Sequence, residues 1–118
     1  MPGVARENDT ASTGHGCDTT TTVVRPSEDV FCNTRGVERK TDPTAAHTIP
    51  NSASPPVCVP HSASITEGSE TVFVNSKAIA RITDACDGGE ITSGSSNVFA
   101  GYIVINIIIT ERLLNVKI

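Results

Sequence analysis

The chain has 118 residues and a formal net charge of -4, with an isoelectric point near 5.2. That length allows one domain with a single core, and an acidic balance without a basic stripe argues against a nucleic-acid or anionic-membrane surface. Aromatic residues make up 3% and Trp is absent, so the core is expected to be thin, made of Val, Ile and the three Phe.

Abundant Thr, Ser, Gly, Pro and Asn favour short strands joined by turns, and no window carries a sustained helical apolar period. The expected fold class is therefore all-β with little helix. The opening MPGVARENDT is polar and lacks the apolar centre of a signal peptide. Residues 1–22 hold Arg6-x-x-Asp9 and a Gly-rich loop, Thr13-Gly14-His15-Gly16-Cys17. Thr19 to Thr22 then lead as a strand into Val23-Val24. Residues 23–42 predict a first β-hairpin. Residues 43–60 contain five of the seven prolines and predict a surface loop without regular structure.

From His61 to Asp84 a second hairpin is expected: Thr71 to Val74, a turn at Asn75-Ser76, then Ala78 to Ala80. Asn tolerates the left-handed backbone of a tight hairpin turn. A short loop, Ala85 to Gly89, precedes the last strand. After Gly101 the segment YIVINIIITERLLNVKI alternates as a strand, with Ile103, Ile105, Ile107 and Ile109 on one face. Its apolar run of about eight residues is far short of the roughly 20 needed for a membrane helix. As a free edge it would invite aggregation, so pairing within the fold or burial against a partner is expected.

The chain repeats itself. Val23–Asp42 lies on Ile65–Asp84 without a gap, with eight of twenty positions identical, among them Ser27/Ser69, Phe31/Phe73, Asn33/Asn75, Arg39/Arg81 and Asp42/Asp84. ITSGSSNVFAG (Ile91–Gly101) is a third, partial copy, and its missing half is found in Ala5-Arg6-Glu7-Asn8-Asp9. Three copies, circularly permuted, imply a closed body of three pseudo-three-fold-related hairpin repeats, because a lone copy cannot bury its apolar face. All three Phe (Phe31, Phe73, Phe99) share one repeat position, which predicts a shared core position. Residues 1–101 then form one domain, and 102–118 an apolar C-terminal strand or tail of unassigned role.

The histidines lie in loops. His15 and His47 follow an Arg-x-x-Asp, Cys86 follows the third, and His61 opens the second hairpin. Converging repeats would bring His15, His47, His61 and Cys86 together near the axis. Three imidazoles and a thiolate form a closed tetrahedral set suited to one structural Zn²⁺, with iron the other ion to consider. Such a site contributes about 10–16 kcal/mol in small domains. Cys32 takes the place of Val74 and reads as core, while Cys17 and Cys58 are alternative ligands or nearby thiols. With no secretion signal, thiols or metal ligands are expected in preference to disulfides.

Three stretches, PGVARENDTASTGHG, SETVFVNSKAIARITDACDGG and SGSSNVFAG, together resemble the PAAR-repeat proteins that cap the spikes of contractile injection machines. The literal Pro-Ala-Ala-Arg is replaced by Gly3-Val4-Ala5-Arg6, Val37-Glu38-Arg39 and Ile79-Ala80-Arg81. The resemblance implies a small conical β-structure with a zinc-pinned apex, whose base docks on a homotrimeric β-helical spike, one copy per spike. Its three-His, one-Cys ligands would carry over to His15, His47, His61 and Cys86.

The expected function is a structural, non-enzymatic tip that touches and pierces a target membrane and binds no nucleic acid. A phage tail baseplate, hence a virion location, is favoured over the bacterial cytoplasm and type VI secretion. An alternative is a surface or secreted binding module stapled by Cys17–Cys58 and Cys32–Cys86 or another pairing. An enzyme built on Cys58 and His61 has no nucleophile-elbow or oxyanion signature behind it.

Overall fold

The fold is built on one small lock used three times. In each Arg-x-x-Asp the carboxylate accepts from the Arg backbone N–H, Nε and Nη2, at 2.7, 2.8 and 3.0 Å for Arg6–Asp9. The distances are 2.8, 2.7 and 2.9 Å for Arg39–Asp42, and 2.8, 3.0 and 2.9 Å for Arg81–Asp84. All three aspartates are nearly buried, where a carboxylate is tolerated because its lone pairs are filled and a cation faces it. The tight loop carries a left-handed residue just before each Asp: Asn8, Thr41 and Thr83.

The computed structural model describes residues 2–101, which are all-β without helix. The strand and tail expected over 102–118 lie outside the described residues. The strands are β1 (Thr10–Ser12), β2 (Thr20–Thr22), β3 (Phe31–Cys32), β4 (Arg35–Gly36), β5 (His47–Pro50), β6 (Cys58–His61), β7 (Phe73–Val74), β8 (Lys77–Ala78), β9 (Ala85–Cys86) and β10 (Gly89–Glu90). Among the described residues they pair in sequence as five two-stranded antiparallel sheets.

The hairpins β3–β4 and β7–β8 turn through Asn33-Thr34 and Asn75-Ser76, all four at positive φ, as a type I′ turn requires. The third hairpin is split. Phe99 pairs with Gly3, as Phe31 pairs with Gly36 and Phe73 with Ala78. The three units join in a ring of backbone hydrogen bonds: Ala5 N–H to Ala80 O (2.9 Å), Ala80 N–H to Glu38 O (3.0 Å), and Glu38 N–H to Ala5 O (3.0 Å). Serines at one repeat position (Ser27, Ser69, Ser95) are buried, and each Oγ accepts from the backbone N–H of the valine three residues on (Val30, Val72, Val98).

The core comes in two layers that follow the repeat. One contains Val23, Ile65 and Ile91 with Ala5, Ala80, Ala11 and Cys86. The other contains Val4, Val37 and Ile79 with Cys32, Val74 and Ala100. Each buried Val or Ile contributes about 1.5–3 kcal/mol. Cys32 is core, as expected.

Two expectations are corrected here. Phe31, Phe73 and Phe99 are 60%, 58% and 44% exposed. Side chains alternate along a strand, so Cys32, Val74 and Ala100, one residue later, take the core face. The Pro-rich stretch also has regular structure, because β5 and β6 pair from His47↔His61 to Pro50↔Cys58. A two-stranded ribbon has only edge strands, so Pro50 and Pro60 can sit where no ladder donor is needed.

Candidate metal centre

A loop, a two-stranded ribbon and a turn bring their chemistry to one point. His15 sits between β1 and β2. His47 opens β5 and His61 closes β6, directly opposite each other in the ribbon. Asp87 occupies the β9–β10 turn at a φ of 58°. One donor atom from each of these four residues lies within 4.8 Å of all the others, and the imidazole centroids are 4.8 to 5.2 Å apart.

The approach of the loops depends on glycine. Gly14 has a φ of 75°, and a Cβ there would run into the Gly88 carbonyl. Gly88 N–H in turn donates to Thr13 O at 2.7 Å, which fixes the Asp87 turn against the His15 loop. That loop also docks on the β5–β6 ribbon. Asp18 N–H donates to Thr48 O at 3.2 Å, and the Asp18 carboxylate accepts from Thr48 N–H (2.8 Å) and Oγ1 (2.9 Å).

All three imidazoles point Nε2 at one carboxylate. His15 and His47 Nε2 are 3.0 and 2.9 Å from Asp87 Oδ2, and His61 Nε2 is 3.3 and 3.2 Å from its two oxygens. The opposite nitrogens of two rings are engaged, because His15 Nδ1 lies 2.8 Å from Gly16 O and His47 Nδ1 lies 2.8 Å from Ala45 O. A carbonyl can only accept, so Nδ1 carries the proton and Nε2 of a neutral ring presents a lone pair. A lone pair facing a carboxylate oxygen at hydrogen-bond distance is repulsive unless a proton or a cation lies between them. This is the second-shell pattern of metal-bound histidine, in which a backbone carbonyl fixes the tautomer.

The ionisation of the group follows the same logic. The Gly16 carbonyl, followed by Asp87, raises the His15 pKa above its ordinary value against the effect of burial. Burial opposes the charged form of Asp87, yet the facing imidazoles of His47, His61 and His15, which donate to it when their Nε2 is protonated, outweigh it and hold the carboxyl below its usual range. Three imidazole nitrogens and one carboxylate oxygen fit a borderline divalent ion such as Zn²⁺ in a tetrahedral shell.

The structure brings His15, His47 and His61 together, and Cys86 is the correction. It is fully buried in the apolar core with its thiol pKa pushed up to about 11, chiefly by burial and then by Asp87. The repeat register explains this. Cys86 stands two residues after the Asp of Arg-x-x-Asp, as Ala11 and Thr44 do, and all three positions are buried. The residue that faces the imidazoles is the next one, Asp87.

For Cys17 and Cys58 the expectation of thiols or ligands is corrected, and the Cys17–Cys58 pairing of the alternative reading is the one found, without Cys32–Cys86. Cys17 and Cys58 form a disulfide with Cα atoms 5.9 Å apart, whereas Cys32 and Cys86 are buried free thiols. This pair is absent from the donor cluster.

A family model described as the PAAR motif matches residues 13–89, a span that contains all four clustered side chains. No curated protein matches the sequence.

Proposed function

The chain belongs to the PAAR-motif family, a structural family of spike tips in contractile injection systems, and from that premise we propose that it caps a homotrimeric β-helical spike as a single copy. The observation that carries this reading is the set of three phenylalanines. Phe31, Phe73 and Phe99 come from three equivalent hairpins and are each 44–60% exposed, with the neighbouring Val30 and Val98 also exposed. A soluble surface seldom repeats an exposed phenylalanine three times without a partner. Pseudo-three-fold-related patches on one chain give each subunit of a three-fold partner its own contact.

At the opposite pole, one zinc held by His15, His47, His61 and Asp87 ties together loops that bury few apolar side chains. Its role in this reading is mechanical, since a closed four-ligand shell leaves no coordination position for a substrate. A clamped apex resists unfolding when it is driven against a target membrane. We assign the tip to a phage tail baseplate. The alternative setting is the bacterial cytoplasm before assembly into a type VI apparatus.

Complex formation with the trimeric spike protein of the same injection system tests docking. Light scattering should give one tip per trimer. A Phe31→Ser/Phe73→Ser/Phe99→Ser variant should lose the complex while its circular dichroism stays unchanged. Undiminished binding by that variant would refute docking through this face. Detection of the chain in purified virions, against its export by a secretion apparatus, separates the two settings.

A further inference from the structure

We propose that the Cys17–Cys58 disulfide is a redox latch on the metal centre, closing the His15 loop over the bound ion when oxidised and releasing it when reduced. The inference rests on the metal reading above. Cys17 lies two residues beyond His15, and Cys58 lies three residues before His61, at the Pro50↔Cys58 end of the ribbon whose other end is His47↔His61. The bond therefore joins the loop carrying one ligand to the ribbon carrying two others.

The remaining ties between the two are weak. Apart from the disulfide, the His15 loop is fastened to the ribbon by the hydrogen bonds between Asp18 and Thr48, whose side-chain contacts are solvent-exposed. Water competes with exposed hydrogen bonds of this kind. The covalent bond is the one tie that solvent cannot exchange.

Both half-cystines are exposed, so a thiol reductant can reach them, and exposed disulfides are the labile class. The two remaining cysteines are buried and unavailable to trade places with them. In the exchange, the thiolate of a dithiol reductant attacks one sulfur, the Cys17–Cys58 bond breaks to a mixed disulfide, and the second thiol displaces the remaining cysteine as a new S–S bond forms on the reductant. Two electrons and two protons are left on Cys17 and Cys58. The reverse reaction, with a disulfide oxidant, sets the latch. Loading would then occur in a reducing compartment, where the loop can open, and locking would follow on exposure to an oxidising one.

The test uses the full chain loaded with Zn²⁺ and a chromophoric chelator that reports zinc release. A phosphine reductant is used, because it opens the disulfide without itself being a thiol ligand. Release from the reduced protein and from a Cys17→Ser/Cys58→Ser variant should both be about 10-fold faster than from the oxidised protein or more. Hydrogen exchange should rise in residues 13–19 and stay unchanged in β3–β4 and β7–β8. The serine variant separates loop release from coordination by the freed thiols. Equal release rates in all three would overturn the latch and leave the metal reading standing. Slower release after reduction would overturn it in favour of thiol coordination. Zinc binding in neither redox state would overturn both readings together.

Discussion

Glu38 occupies the ring position that Ala5 and Ala80 hold in the other two repeats, and it is fully buried with neither carboxylate oxygen hydrogen-bonded. Burial, then the negative charges of Asp42, Glu7 and Asp9, push its pKa from the ordinary 4.5 up to about 9, with Arg39 opposing. At neutral pH the folded protein therefore holds a proton that the unfolded chain does not. Where the unfolded state binds fewer protons, stability falls as pH rises. The fall runs from the unfolded pKa of 4.5 to the folded value of about 9.

Each pH unit within that window costs about 1.4 kcal/mol. From about pH 5 to about pH 8 the loss is roughly 4 kcal/mol, a large share of the stability of a domain this size. Glu38→Gln keeps the shape and removes the charge. Urea titrations followed by far-ultraviolet circular dichroism should give similar stabilities for the two proteins near pH 5. Near pH 8 the variant should be the more stable by roughly 3–4 kcal/mol. Histidine titration affects both proteins alike and cancels in the difference. Parallel stability curves across that range would refute the reasoning.

Two further expectations concern the apex. Asp87→Ala should lower zinc affinity by about 100-fold, read by competition with a chelator, and His61→Ala should abolish one-to-one zinc content by elemental analysis. Chelation of the parent should raise hydrogen exchange at residues 10–20, 43–61 and 84–89 and spare the Phe-bearing hairpins, and equal protection with and without metal would contradict the clamp. Gly14→Ala, which forces a Cβ into the Gly88 carbonyl at a positive φ, should destabilise the protein by about 1 kcal/mol or more. It should also weaken zinc binding, because it pushes the His15 loop off the Asp87 turn. Unchanged zinc affinity would show that the Gly14–Gly88 approach does not set the site.

The repeat was legible because the Arg–Asp lock needs two side chains at a fixed spacing, and the same spacing recurs with Ser27, Ser69 and Ser95 in register. The closed arrangement of units followed from a copy divided between Ala5–Asp9 and Ile91–Gly101. What register conveys is which positions are equivalent. It does not say which face each one takes, and that is why Phe31, Phe73 and Phe99 were correctly equated yet assigned to the core. The same limit separated Cys86 from Asp87, since Cys86 ends β9 with its side chain in the core while Asp87 begins the turn at a positive φ. Aligning Cys86 with Ala11 and Thr44 was the available signal. The β5–β6 ribbon was hidden by prolines that only a two-edged ribbon accommodates, and the Cys17–Cys58 bond depends on that ribbon for its proximity.

The divided third hairpin gives the molecule an order of assembly. Its partners are Gly3 and Phe99, among the earliest and latest described residues to leave a ribosome. The two internal hairpins can form as local events while translation proceeds, but Gly3 has no hairpin mate until almost the whole described chain has been made. Closing so distant a pair bears the full entropy of the intervening loop and is characteristically slow. A product interrupted before Phe99 would therefore hold only two of the three phenylalanines and no Gly3–Phe99 pair, although Ala5, Glu38 and Ala80 of the backbone ring have already been made. Synthesis through Phe99 is then what supplies the third phenylalanine contact on which the proposed docking depends.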